Sequence, residues 1–185
     1  MTRSTKKYPM PVDNGASDHL QSGMSLPRVT LPSTSGEDIC LSDLPGCVLL
    51  FIYPWTGRPG VPNPPNWDDI PGAHGSTAEI EGFRDLYPQF EEFEVGIYGL
   101  SRQTTEYQRE MVERLKVPFP ILSDAEGKFG SAVNLPNFTA GNETYYKRLS
   151  LILTQGLIET VFYPVPRPEK HARDVLRWFR REMRR

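Results

Sequence analysis

Hydrophobic and polar positions alternate in two distinct periods along the chain, and the changes of period mark its elements. Val48-Leu49-Leu50-Phe51-Ile52-Tyr53 is a continuous apolar run closed by Pro54, the pattern of a strand buried on both faces of a sheet. Val95 to Leu100 reads as a second buried strand and Phe119 to Leu122 as a short third. Helical spacing governs the segments between them. Ile80, Phe83, Leu86, Tyr87 and Phe90 recur on one face after Ser76, with Pro88 predicting a kink or break near Arg84 to Tyr87. Tyr107, Met111 and Leu115 define a helix over 104–115, and another runs from about Ala125 to Val133. Leu149 to Leu153 and Ile158 to Phe162, separated by Thr154-Gln155-Gly156, predict an antiparallel hairpin. A last helix from Pro168 turns Ala172, Val175, Leu176, Phe179 and Met183 inward. Shorter extended stretches, Leu26 to Leu31 and Asp38 to Leu41, flank the turn-like STSG and predict a small hairpin.

The order strand, helix, strand, helix, strand, helix, hairpin, helix predicts an α/β fold: parallel strands with crossover helices, then an antiparallel edge. In such sheets a ligand site lies at the carboxyl ends of the parallel strands, which directs attention to Pro54 and the loop after it. Residues 54–75 contain six prolines, four glycines and two tryptophans, a composition that opposes helix and strand and yields a long, stiff loop. Residues 1–25 are polar and aperiodic, and are expected as a tail or loosely docked arm before a domain spanning 26–185.

Composition narrows the function classes. At 185 residues the chain fits one ordinary domain, and with 38% apolar residues it can build a core. No apolar stretch approaches the roughly 20 residues of a bilayer span, and the first fifteen residues hold no apolar signal region, so a soluble cytoplasmic protein without membrane attachment is expected. Net charge is −2, and although residues 167–185 carry eight Lys or Arg against three Asp or Glu, no aromatic stacking set is interleaved with them, so no nucleic-acid partner is expected. Cys40 and Cys47 are seven apart, which fits neither a CxxC pair nor a zinc site. Asp68, Asp69 and His74 lack a flanking ligand pattern, so no metal is expected, and nothing in the sequence implies a cofactor.

Several segments together carry a family likeness. VLLFIYP, then STAEIEGFRD, EVGIYGLSRQ, PFPILSDAEGKFG and KRLSLILTQGLIE resemble a peroxiredoxin of the alkyl hydroperoxide reductase and thiol-specific antioxidant type, over roughly Leu26 to Phe179. The resemblance implies a thioredoxin fold of the peroxiredoxin type, a central mixed sheet flanked by helices, with a peroxidatic cysteine in the first turn of the helix after the central strand. That position is Ser76 here, and the resolving position five residues later is Glu81. The resemblance also implies roles for Pro54 at the start of the active-site loop, Glu79 three residues after the nucleophile position, and Arg148 before the facing strand. The family's hydroxyl residue three positions before the cysteine falls on Ala73, and Thr56 is the substitute available in the lengthened loop. Gly75, Thr77, His74 and Trp67 complete the substrate-binding candidates. Plain thioredoxin is disfavoured because CxxC is missing and Lys147, not Pro, precedes Arg148.

The chemistry follows from the residue types. A peroxidatic thiol is lowered from a pKa near 8.5 by a helix N-terminus and a nearby cation, and Ser76 with Arg148 would occupy that arrangement. A serine hydroxyl offers no accessible anion near neutral pH and cannot form a sulfenic acid, so hydroperoxide turnover is not expected from this chain. Cys47, at the far end of a six-residue strand, would lie roughly 20 Å from the site and is expected as a small buried apolar residue. Read without the family, Ser76-Thr77-Ala78-Glu79 is a capping box, Arg148 an exposed or salt-bridged strand residue, and His74 a loop residue or a base on Ser76; the resemblance moves Ser76 to the pocket floor and makes Arg148 the anion-holding candidate. Three functions stay open: a peroxiredoxin whose thiol is replaced by serine, with thioredoxin or a small thiol as partner only if a cysteine stands at 76; a non-redox enzyme acting on a small organic substrate in the same pocket; and a ligand-binding pseudoenzyme, for which a homodimer is compatible.

Overall fold

The computed structural model describes residues 7–182, so the inward position expected of Met183 lies outside the described residues. Its elements in chain order are β1 (Thr30–Pro32), β2 (Asp38–Cys40), β3 (Cys47–Ile52), α1 (Ser76–Glu91), β4 (Val95–Ser101), α2 (Thr105–Leu115), β5 (Ile121–Ser123), α3 (Lys128–Ala132), β6 (Asn137–Ala140), β7 (Glu143–Tyr146), β8 (Leu149–Thr154), β9 (Leu157–Phe162) and α4 (Pro168–Glu182). The central sheet runs β5-β4-β3-β8-β9, with β3, β4 and β5 parallel and β8 and β9 antiparallel. This is the mixed sheet flanked by helices that the pattern predicts.

The continuous apolar run of β3 is explained by its place at the centre of the sheet. Val48, Leu50 and Ile52 join one buried cluster, and Leu49, Phe51 and Tyr53 the other, so every residue of the run faces core. The second cluster also takes the apolar faces of α1, α2 and α4, including Phe83, Phe90, Met111, Val175 and Phe179. Burying a side chain of this size contributes about 1.5–3 kcal/mol, so the layer on this face anchors the start of α1.

Several boundaries differ from expectation. Of the kink or break expected in α1, the break does not occur: Pro88 lies inside a helix that continues to Glu91, and its carbonyl still accepts from Glu92 N–H. Loss of one donor in the last turn is tolerated because the helix is held by Phe83 and Phe90 in the core. The helix expected over 125–133 is confined to Lys128–Ala132, since Gly127 takes a left-handed φ of 72° at its start. The antiparallel β6–β7 pair was not anticipated. It places Phe138 and Tyr145 against Trp67, forming a third small cluster with Ala73 and Ala140.

The N-terminal segment, within its described part, is docked. Leu20 and Leu26 are buried in the first cluster, Leu26 N–H donates to Gly156 O, and Gly23 N–H to Ile158 O. Further forward, Gly72 N–H donates to Pro9 O and Tyr163 Oη to Asn14 Oδ1. Hydrogen bonds of this kind to the β9 edge and the 54–75 loop lay residues 9–26 along the domain.

Candidate functional site

β3 ends at Ile52, and Pro54, buried, opens the loop that returns at Gly75. Gly75 is the N-cap of α1 with φ 106°, a conformation that a side chain resists, and a Cβ there would lie 2.2 Å from Pro168 Cγ. Glycine therefore lets the start of α4 press against the start of α1. Ser76 becomes the first residue of the helix, 2% exposed. On the facing strand the last β3–β8 pair is Ile52 with Leu149, so Arg148 stands one residue beyond it, level with the end of β3. Sheet register thus delivers the guanidinium to the mouth of α1.

Arg148 is 3% exposed and organises the site. Its Nη2 donates to Ser76 Oγ (3.0 Å), to His74 O (3.2 Å) and to Gly72 O (3.4 Å), while Nη1 donates to Glu79 Oε2 in a fully buried ion pair. Arg148 Nε and Glu79 Oε1 have no hydrogen-bond partner. Burial drives the Glu79 carboxyl up to about 7, more than the Arg148 charge and hydrogen bond pull it down. Behind this pair, Ser150 and His171 are hydrogen-bonded (2.8 Å) and buried, and desolvation, helped by the Arg148 charge, holds the imidazole down at about 3. His171 is therefore neutral near pH 7.

The capping box is not formed. Gly75, not Ser76, is the N-cap; no side chain caps the helix, and Glu79 N–H donates to Gly75 O. The reason is competition: Arg148 takes both the Ser76 hydroxyl and the Glu79 carboxylate, and a charge-assisted bond outweighs a neutral cap. Of the two readings of Arg148 made without the family, its burial excludes the exposed one and its ion pair with Glu79 is the salt-bridged one.

Other sequence candidates separate into those at the site and those away from it. Gly75 and Thr77 flank Ser76 in the first turn, and His74 contributes its carbonyl to Arg148. The His74 ring is engaged elsewhere: Nε2 is 2.8 Å from Asp68 Oδ1, and the ring stacks on Tyr8 at 3.6 Å between centroids. That corrects its assignment as a base on Ser76. Thr56 is fully buried, its hydroxyl donating to Gln103 Oε1 (3.0 Å) and its carbonyl accepting from Tyr107 Oη. It pins the loop to α2 and supplies no pocket hydroxyl. Trp67 is 3% exposed among Trp55, Phe138 and Tyr145, a packing residue of the lengthened loop. Among the described residues no three His, Cys, Asp or Glu side chains group as metal ligands. Sequence reasoning missed the Gln103–Tyr107 clamp on Thr56 and the Ser150–His171 pair, since both join residues far apart in the chain.

Both cysteines are free, and Cys47 opens β3 at the end of the sheet opposite Pro54. Burial and the nearby Glu159 push its thiol up to about 11, the reverse of what a reactive thiolate needs. Cys40 Sγ is engaged with Ser42 Oγ at 3.2 Å. Neither thiol belongs to the site.

Known proteins resemble this chain over most of its length. The Redoxin family model matches residues 21–176. The chain belongs to the Redoxin family. This redoxin is 28% identical over 162 residues to a relative from Coxiella burnetii named for the bcp peroxiredoxins, covering 85% of this chain and 97% of that one. It is 27% identical over 160 residues to the chloroplastic peroxiredoxin Q of Sedum lineare, covering 84% and 75%. The crystal structure of peroxidoxin BcpB from Mycobacterium tuberculosis superposes with a TM-score of 0.70 at 25% identity, over 88% of this chain and 97% of that chain. The redoxin therefore has the thioredoxin fold of the peroxiredoxins. Among its described residues no helix is long and apolar enough to cross a membrane.

Proposed function

We propose that this redoxin is a pseudoenzyme that keeps the peroxiredoxin anion-holding frame and has lost thiol peroxidase chemistry. The observation that carries this reading is the Arg148 Nη2 donation to Ser76 Oγ at 3.0 Å in the first turn of α1. An oxygen stands where sulfur is needed. Peroxide reduction by a thiolate forms an S–O bond, breaks the O–O bond and expels an alkoxide or hydroxide. Ser76 cannot take the first step, because its hydroxyl has no adjacent base: His171 is paired with Ser150, His74 with Asp68 and Glu79 with Arg148. The helix N-terminus and the guanidinium still favour an anion or a peroxide-like oxygen pair near Ser76.

On this reading Ser76, Arg148 and Glu79 form the core of the site, Pro54, Gly75 and Thr77 shape it, and residues 1–25 are an arm serving a domain over 26–185. Thioredoxin or a small thiol becomes a partner only when a cysteine occupies 76. Two free thiols support a reducing, cytoplasmic setting.

Peroxide consumption by the wild-type chain and by Ser76→Cys, with dithiothreitol as reductant, tests the reading. Wild type should show no consumption above buffer and the variant catalytic consumption. Turnover by wild type, or a folded but inert Ser76→Cys, overturns it.

A further inference from the structure

Arg148 also borders a second space. A cleft of about 380 Å³ opens between the N-terminal segment and the 54–75 loop, lined by Met10, Pro11, Ile70, Phe138 and Tyr163 together with the cationic Lys147 and Arg148. Its roof is Met10 to Asn14, outside residues 21–176 matched by the family model, and its remaining walls lie within them. The roof is held at both ends by Gly72 N–H donating to Pro9 O and Tyr163 Oη donating to Asn14 Oδ1.

Three features define an occupant. First, the walls are mostly apolar, and of the five large hydrophobic residues exposed in the described chain, Tyr8, Met10 and Val12 lie within this one stretch of the arm. An apolar body would cover part of that surface. Second, the lining contains two cations and no Asp or Glu. Glu79, outside the lining, neutralises Arg148, whereas Lys147 has no ion pair among the described residues, leaving a net positive charge at the cleft. Third, Arg148 Nε is buried with no acceptor, an incomplete hydrogen-bond set on a charged group.

We propose that this cleft binds a small organic carboxylate with an apolar body, about 10–20 non-hydrogen atoms in all, a size suited to a site of this volume. The carboxylate meets Lys147 and the Arg148 edge, and the apolar body lies under Met10 and Pro11 against Ile70 and Phe138. The assignment rests on the reading of Arg148 as an anion holder, and adds the ligand class.

Calorimetric titration of the full chain with octanoate, 1-octanol and acetate tests it. Octanoate should bind, with the alcohol and acetate each at least tenfold weaker. Lys147→Gln, half-buried, and Met10→Asp, exposed, should each weaken octanoate at least fivefold without altering thermal stability. Absent octanoate binding, equal binding of the alcohol, or unchanged affinity in both variants overturns the proposal. The peroxide assay on Ser76→Cys is independent of these titrations. An active variant with no octanoate binding refutes the cleft alone, and octanoate binding beside an inert variant refutes the pseudoenzyme reading alone.

Discussion

Arg148 Nη2 lies 3.0 Å from Ser76 Oγ although the two residues are 72 positions apart in the chain. A single guanidinium thus connects the first turn of α1 to the start of β8, and the chemistry of position 76 depends on it. A sulfur placed at Ser76 would meet a cation and a helix N-terminus together, both of which favour its thiolate. In Ser76→Cys, the new thiol should alkylate with iodoacetamide with a midpoint at least one pH unit below the ordinary 8.5. Cys47, raised to about 11, should stay unmodified through pH 8. Mass spectrometry of peptides alkylated across pH 5–10 separates the two, and equal profiles would refute the contrast.

Two buried groups set opposing pH dependences. Glu79, raised from 4.5 to about 7 by burial, contributes stability that is full below pH 4.5 and is lost as pH rises through 7. His171, depressed from 6.5 to about 3 by burial, contributes stability that is full above pH 6.5 and is lost as pH falls through 3. Between about pH 4.5 and 6.5 the two slopes cancel, each worth on the order of 1.4 kcal/mol per pH unit. Relative to wild type, Glu79→Gln should gain a stability that rises with pH across that window, and His171→Gln one that falls. Urea midpoints taken every half pH unit decide it, parallel curves in all three proteins being the contrary result.

Removing one member of the ion pair should cost more than removing both. Above the raised Glu79 value, where the carboxyl is charged, Arg148→Met strands it in the core without its partner, at about 3–5 kcal/mol. Adding Glu79→Leu to it removes the stranded charge and should restore most of that loss. A double-mutant cycle by equilibrium unfolding measures the coupling; additive losses would mean that the pair is not coupled.

Gly75→Ala should destabilise the protein by roughly 1–3 kcal/mol, because the residue needs a φ of 106° and its Cβ would collide with Pro168. The added Pro168→Ala change should recover part of the loss by opening space. Thermal unfolding of both variants checks the contact, and an unaffected Gly75→Ala would refute it.

Strand β3, the α1 and α4 stripes and the β8–β9 hairpin are legible in the chain because their apolar periods are local and long. The β6–β7 pair is not, since Asn137-Phe138-Thr139-Ala140 carries only a short alternation, and its aromatic ring finds a purpose against Trp67, 71 positions earlier. Thr56 shows the same limit from the other side. Its hydroxyl reads as a pocket group in sequence, yet Gln103, 47 residues on, consumes it.

By itself the order of residues determined the layered α/β fold, the family likeness and the oxygen at position 76, all of which depend on side-chain type and short-range spacing. Only the tertiary structure decided that Ser76 does not cap its own helix, that His74 turns to Asp68 and Tyr8, and that the N-terminal segment roofs a cleft. Each of those outcomes is a competition among hydrogen-bond partners brought together from distant parts of the chain. Local spacing names the contestants; burial and distance choose the winner.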